Sequence, residues 1–404
     1  MSVPFRAPEP RQEHPSPEGP QQGAQAAHLT HPGAADQQNE QGQGILGTFG
    51  ATAHPKACGP PAQGRCPQAQ GQAQASQPAV QVAATTSTPA AAPPPPAPPP
   101  TPSRPQGAFL PYIEGVKAEA ARAGIKPATL QAAFRGIAQP NNRVIELDRR
   151  QPEFTLTWEQ YRSRVISDAR IARGREFYAR HRALVTEVCA KYRMHPGPIM
   201  GIWGLESHYG QFTGGFNVIE ALTTLAWEGR RAAFFRAQLL SALRILDSGD
   251  IAPERMLGSY AGAMGQPQFM PDSFLRFAVD HDGNGRRDLW NDPADIVGSI
   301  ANYLSKSGWT PPLGWGQPIT LPTGFNPSLA GRDNRRPVAE WTRLGIRPRG
   351  QVPGEAQAAV ILPDGAGGQA FLAFQPNFQA IRRYNPSDFY ALAVGLIGDA
   401  VTGA

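Results

Sequence analysis

Glu206 is the residue of this 404-residue chain whose surroundings best suit proton transfer. The run at 198–210 predicts a helix, with Pro198 in its first turn and Gly210 at its exit. Its apolar face comprises Ile199, Ile202, Trp203 and Leu205. A carboxyl half-buried against this face should have a raised pKa, because desolvation disfavours its charged form. Such a group can act as a general acid at neutral pH, whereas an ordinary surface glutamate is the alternative for this run taken alone.

A second run, at 259–271, combines small residues with amide and apolar side chains. Its small residues permit close approach of another group, and Gln266, Gln268 and Phe269 follow them. Amides beside aromatic rings are suited to holding a sugar. The alternative for this run alone is a tight glycine-rich turn between helices.

An Asp-rich run at 280–295 resembles the first half of an EF-hand calcium loop. The expected metal ligands are Asp280, Asp282, Asn284, the backbone carbonyl of Arg286 and a closing Asp295. Position twelve of the loop is Asn291 instead of glutamate, so Asp295 would close a longer loop. The run therefore predicts a structural Ca²⁺, with a turn stabilised by its own Asp and Asn side chains as the alternative.

Composition divides the chain near residue 106. Residues 1–106 hold 22 of the 43 prolines, including the tract 93–100, and only two aromatic residues, Phe5 and Phe49. Such a segment buries too little apolar surface to offset its ordering entropy, so it is predicted to be a disordered tail. Its basic and acidic residues balance, which assigns the net charge of +6 to the remainder. A basic surface suits an acidic polymer, but charge alone does not choose which one.

The periodicity after residue 106 predicts a mainly α (α+β) protein. Residues 107–310 are expected to be helical, with 157–192 as one long helical region and a catalytic core at about 185–310. Residues 311–380 are expected to form a small β-containing insertion, because short β-like runs occur at 318–321, 358–362 and 371–374. Residues 381–404 are expected to form a C-terminal helix that completes the catalytic domain. No stretch approaches the length of a transmembrane segment.

Five motifs, taken together and in order, resemble the lytic murein transglycosylase B family. They are GLESHYG at 204–210, YAGAMGQPQFMP at 260–271, the Asp-rich loop ending in DLW, ANYL at 301–304 followed by Gly308 and Trp309, and RYN at 383–385. The resemblance covers about 107–400. It implies a lysozyme-like core in which Glu206 is the single catalytic acid and base.

The resemblance also implies the substrate and the site. A lytic transglycosylase cleaves the MurNAc-β-1,4-GlcNAc bond of peptidoglycan without water and leaves 1,6-anhydro-MurNAc ends. The expected substrate-binding residues are Tyr161, Ser207, Gln268, Phe269, Tyr303, Tyr384 and Asn385. Glycan strands are the expected partner and other cell-wall enzymes are further candidates; neither nucleic acid nor an organic cofactor is expected. The substrate implies a periplasmic location, although the first residues lack the apolar core of a secretory signal.

Two other functions stay open from the residues alone. Glycosidases usually need a second carboxylate, and the only candidates, Glu220 and Asp272, lie outside the motif of Glu206. A muramidase would use Glu206 with water. A non-catalytic wall-binding or calcium-dependent scaffold would have no need of a desolvated carboxyl, so Glu206 disfavours it.

Overall fold

The computed structural model describes residues 107–150 and 156–403. The predicted tail at 1–106 lies outside these residues. Within them the chain forms fourteen α-helices: α1 (Phe109–Arg122), α2 (Pro127–Ala133), α3 (Asn142–Arg149), α4 (Trp158–Val165), α5 (Asp168–Arg180), α6 (Arg182–Tyr192), α7 (Pro196–Ser207), α8 (Val218–Glu228), α9 (Ala232–Ser248), α10 (Pro271–Phe277), α11 (Pro293–Lys306), α12 (Val338–Arg343), α13 (Asn377–Tyr384) and α14 (Asp388–Thr402). The expectation of a mainly helical protein with a minor sheet is confirmed. No helix in the described ranges combines the length and apolar character needed to span a bilayer.

The six strands are short and antiparallel. They are β1 (Phe216–Asn217), β2 (Leu257–Gly258), β3 (Gly316–Ile319), β4 (Arg336–Pro337), β5 (Gln357–Ile361) and β6 (Ala370–Phe374). β1 pairs with β2, and the other four form a sheet in the order β3-β6-β5-β4. In this sheet Ala373 of β6 lies opposite Gly316 on one side and Ala359 on the other.

The sheet lies within the predicted β-containing segment and has its own small core. Trp341 and Ile346 are fully buried there against Val360 and Leu372. Sequence periodicity missed α12 in this segment. It also missed α13, which crosses the expected boundary at 380. The domain boundaries themselves stay a prediction.

Helix α7 is the central element, and it is buried on every side. Residues 197–207 are all buried, whereas the sequence predicted burial of only one apolar face. The reason is its glycines: a Cβ at Gly201 would lie 2.0 Å from the carbonyl oxygen of Val394 in α14. The two helix backbones therefore touch directly. α7 ends at Ser207 because His208 adopts a left-handed conformation with φ 51°.

The region 157–192 is three helices and not one. Ile166 ends α4, and Ser167 then starts α5, its side chain accepting a hydrogen bond from the backbone N–H of Arg170. His181 separates α5 from α6. These breaks let the chain fold around α7, because a single straight helix could follow only one side of it. Apolar periodicity continued across both breaks and hid them.

Candidate active site

Glu206 lies in the last turn of α7 and is only 6% exposed. Burial raises its pKa to about 8, and a hydrogen bond from Tyr390 opposes that shift. The Tyr390 hydroxyl donates to Glu206 Oε1 at 2.5 Å. The carboxyl is more deeply buried than the half-buried group that the sequence predicts. At neutral pH it is predominantly protonated, which is the state that a proton donor requires.

Tyr390 is the site residue that sequence reasoning missed. It lies in the first turn of α14, is 2% exposed, and stacks on Tyr384 with ring centroids 6.4 Å apart. Burial and the nearby Glu206 raise the pKa of its phenol well above 10, so it stays a hydrogen-bond donor. In the sequence it reads as an ordinary aromatic residue of a core helix. The one feature of the sequence that could have indicated it is its position six residues after Tyr384, just beyond the last motif.

Three predicted groove residues form one aromatic cluster. The ring centroids of Tyr303 and Tyr384 are 4.5 Å apart, and each lies 5.7 Å from that of Phe269. Both hydroxyls donate to the backbone, Tyr303 to the Arg383 carbonyl at 2.6 Å and Tyr384 to the Pro267 carbonyl at 2.5 Å. Burial raises the pKa of both phenols, and the nearby Glu206 adds to the shift of each.

Tyr161 approaches the same acid from α4. Its phenol has a pKa raised first by burial and then by the charge of Glu206. Its ring stacks on Trp158 with centroids 6.2 Å apart. Sequence distance hides this neighbour, because 45 residues separate Tyr161 from Glu206.

The amides of the 259–271 loop have different surroundings. Gln268 has φ 50°, and its Nε2 donates to the carbonyls of Thr213 at 3.0 Å and Gly265 at 2.9 Å. Gln266 accepts from Trp203 Nε1 at 2.7 Å and donates to the Trp290 carbonyl at 2.9 Å. Gln266 therefore fixes the loop to α7, and the Nε2 group of Gln268 likewise donates to backbone carbonyls. Sugar binding by these amides stays a prediction.

Ser207 and Asn385 make local contacts. The Ser207 hydroxyl donates to the Trp203 carbonyl at 3.3 Å and accepts from the Gly210 N–H at 3.0 Å. These bonds close the end of α7, and sugar binding by this side chain stays a prediction. Asn385 Oδ1 accepts from the Ser387 N–H at 3.1 Å, in the turn that leads into α14.

Neither candidate for a second carboxylate serves Glu206. Glu220 accepts from Asn141 Nδ2 at 3.1 Å and borders a separate depression, and Asp272 pairs with Arg276 at 2.8 Å at the surface. Within the described ranges, the pKa of Glu206 responds to burial and Tyr390, with no acid among the causes. The charge of Asp272 acts on Tyr303 of the aromatic cluster but is not among the causes for Glu206, so in the described residues neither acid is a direct partner of Glu206.

The Asp-rich loop gathers three of its predicted metal ligands. Carboxylate oxygens of Asp280, Asp282 and Asp295 all lie within 4.8 Å of one another. Asn291 instead donates to the Asp288 carboxylate, at 3.1 and 3.2 Å, so position twelve takes no part. The longer loop closed by Asp295, which the sequence suggested, matches this geometry.

The charge balance of the loop fits a divalent cation. Asp295 is fully buried, and burial together with the charges of Asp292 and Asp282 raises its pKa to about 6. Its two oxygens accept only the backbone N–H groups of His281 and Asp288, both at 2.7 Å. Clustered acids without a basic partner at this point are what Ca²⁺ would stabilise. Asn284 now donates its amide to Asp282 at 3.0 Å, so it would have to turn its oxygen inward to act as a ligand.

Known proteins are similar to this chain in both fold and sequence. The family described as Transglycosylase SLT domain matches residues 108–399. Membrane-bound lytic murein transglycosylase B of Escherichia coli K12 is 33% identical over 250 residues, which is 60% of this chain and 67% of that protein.

Two solved structures extend the comparison. SltB3 of Pseudomonas aeruginosa, in complex with NAG-anhNAM-pentapeptide, has a TM-score of 0.70 and 43% identity over 74% of this chain and 80% of that one. Slt35 of Escherichia coli, in complex with calcium, has a TM-score of 0.61 and 29% identity over 72% of this chain and 93% of that one.

A buried acid near aromatic rings in a helical scaffold fits a carbohydrate-cleaving enzyme, and the relatives assign the class. The chain belongs to the transglycosylase SLT domain family. The predicted lytic murein transglycosylase B family, the lysozyme-like fold and the enzyme class of lytic transglycosylase are confirmed.

Proposed function

We propose that this chain cleaves the MurNAc-β-1,4-GlcNAc bond of peptidoglycan without water and leaves 1,6-anhydro-MurNAc ends. The observation that carries the proposal is the carboxyl of Glu206, buried and protonated, with Tyr390 as its partner. The substrate class follows from the relatives: one is named a murein transglycosylase, and another was solved with NAG-anhNAM-pentapeptide. The anhydro sugar in that ligand is the product type proposed here.

Glu206 acts first as an acid. Its proton passes to the glycosidic oxygen as the bond to the anomeric carbon of MurNAc breaks, and the N-acetyl group of the same sugar stabilises the developing positive charge. Because one carboxyl oxygen already accepts from Tyr390, the other is left to face the leaving oxygen. Desolvation keeps the proton on the carboxyl until a substrate oxygen arrives.

Glu206 then acts as a base. The carboxylate left behind is buried and therefore strongly basic, and the Tyr390 hydroxyl stabilises it through the same hydrogen bond. It takes the proton of the C6 hydroxyl as that oxygen bonds to the anomeric carbon and closes the 1,6-anhydro ring. The internal hydroxyl prevails over water because of its high effective concentration.

The aromatic cluster and the loop amide hold the sugar in this account. The rings of Tyr161 and Tyr384 are proposed to stack on sugar near Glu206. The rings of Phe269 and Tyr303 pack against Tyr384. Gln268 and Asn385 are proposed to bind sugar hydroxyl or acetamido groups. Ser207 acts on the site through the end of α7.

The pH dependence of cleavage tests the acid directly. Since the protonated carboxyl is the active form and its pKa is about 8, kcat/KM should be level below that pH and fall about tenfold per unit above it. Tyr390→Phe should move this fall in kcat/KM, the alkaline limb of the pH profile, to higher pH, because the Tyr390 hydrogen bond lowers the pKa of Glu206. Rates measured on isolated peptidoglycan between pH 5 and about 10 give both results. A limb near the ordinary glutamate pKa, or a shift of the variant to lower pH, contradicts the role of Glu206.

We also propose Ca²⁺ as a structural ion held by Asp280, Asp282, Asn284, Asp295 and the Arg286 carbonyl. The relative Slt35 was solved in complex with calcium. When bound, the ion would neutralise the clustered acids and fix the loop that precedes α11. It takes no part in the chemistry proposed above.

Calcium should therefore raise the melting temperature of the unaltered protein, because it binds the folded state preferentially. Asp280→Ala should abolish this rise, whereas Asp333→Ala, which changes an exposed aspartate elsewhere, should retain it. Thermal unfolding with excess calcium and with chelator measures the effect. Equal melting temperatures in the two conditions would leave the loop as a self-stabilised turn.

We propose a periplasmic location, because that is where the proposed substrate lies, with peptidoglycan strands and other cell-wall enzymes as partners. Fractionation of the native host tests this location. Recovery of the protein only from the cytoplasm would contradict it.

A further inference from the structure

Helix α4 carries Tyr161 to the site but is itself a small element. It has eight residues and ends at Val165, and the chain leaves helical geometry at Ile166. Thr157 caps its N-terminus by accepting from the Gln160 N–H. A helix this short has little intrinsic stability, so contacts with the rest of the protein must fix its position.

Two side chains from the β-containing segment fix the first residue of α4. The backbone N–H of Trp158 donates to Asp364 Oδ1 at 2.8 Å, and its indole N–H donates to Gln369 Oε1 at 2.7 Å. Both acceptors lie on the connection between β5 and β6. Thr157 accepts from Gln160 and not from Trp158, so the Trp158 N–H can donate to Asp364.

Trp158 transmits this anchoring to Tyr161. The indole is fully buried and stacks on the Tyr161 ring at an interplanar angle of 25°. It also makes edge-to-face contacts with Phe371 of β6, with centroids 5.9 Å apart, and with Phe389 of α14, at 5.5 Å. Displacement of Trp158 would therefore displace the ring that lies beside Glu206.

We propose that the β5–β6 connection is a positioning element for the sugar site, with Asp364 and Gln369 as its positioning residues. They act through Trp158 on Tyr161, and the inference rests on the proposed function. Both side chains are exposed on a glycine-rich connection and add nothing to the core of the sheet. Both accept hydrogen bonds from Trp158, which lies on the same helix as Tyr161.

Asp364→Ala and Gln369→Ala should each lower kcat/KM about fivefold, because each removes one hydrogen bond that holds Trp158 in position. The loss should fall mainly on KM, because Tyr161 is proposed to contact sugar and not to transfer a proton. Asp364→Asn should restore most of the activity, since its amide oxygen can still accept from Trp158. Gln357→Ala, the same change at an exposed position of β5, is the matched control and should keep full activity.

A double-mutant cycle separates positioning from general stability. In a Tyr161→Ala background, Gln369→Ala should change kcat/KM by less than about twofold, because the group that it positions is gone. Losses of equal size in both backgrounds, or Asp364→Ala and Gln369→Ala indistinguishable from Gln357→Ala, would overturn the inference while the proposed function stands. Absence of peptidoglycan cleavage by the unaltered chain would overturn both.

Discussion

Glu206→Gln is expected to lower peptidoglycan turnover by about a thousandfold or more, because the amide keeps the shape of the carboxyl but cannot transfer its proton. The Tyr390 hydroxyl can still donate to the amide oxygen, so the fold should survive. Release of soluble muropeptides from isolated sacculi measures the loss. Circular dichroism and thermal unfolding check that the variant is folded.

Glu220→Gln is the matched control for this change. It makes the same change at a glutamate that is only partly buried, that the sequence left as a candidate second acid, and that lies outside the contacts of Glu206. Near-normal turnover is expected. If Glu206→Gln kept more than a few per cent of the activity, or if Glu220→Gln lost as much, a one-carboxyl mechanism centred on Glu206 would be wrong.

Gly201→Ala is expected to cause the largest loss of stability of any single methyl addition in α7. The added Cβ would lie 2.0 Å from the Val394 carbonyl oxygen and 2.9 Å from its carbon, both backbone atoms of α14. The two helices must then move apart, which costs about 3 kcal/mol or more in free energy of unfolding. In thermal unfolding this corresponds to a fall of about 6 °C or more.

Gly197→Ala, one turn earlier on the same helix, provides the comparison. Its Cβ would meet the nearest atoms at 3.5 to 3.8 Å, which is ordinary van der Waals contact. Because alanine also favours helix by up to about 1 kcal/mol, this variant should be neutral or slightly more stable. Equal melting temperatures for the two variants would show that α7 and α14 do not pack as closely as described.

Candidate site residues could be predicted from the sequence where the chemistry is local. Glu206 could be recognised because its apolar neighbours are one helical turn away in the same run. The acids of the metal loop lie within sixteen residues, and their spacing indicated that Asp295, and not Asn291, would close the loop. The helical class followed from apolar periodicity, which depends only on neighbouring turns.

Sequence reasoning failed where a contact joins distant parts of the chain. Tyr390 bonds Glu206 across 184 residues, and nothing near Tyr390 distinguishes it from a core aromatic. Gln266 resembles Gln268 in sequence, but only the folded chain shows that Trp203 and the Trp290 carbonyl occupy its amide. The complete burial of α7 was likewise hidden, because it depends on how closely α14 approaches the helix glycines.

The mass of the muropeptides released from isolated peptidoglycan tests the central claim most directly. Closure of the anhydro ring by the C6 hydroxyl consumes no water, so every new MurNAc end should be lighter by one water molecule than the end that a hydrolase leaves. Anhydro ends are expected throughout in reactions with the unaltered chain, and none are expected with Glu206→Gln. Reducing MurNAc ends as the main product would contradict this expectation and identify a muramidase that uses the same acid.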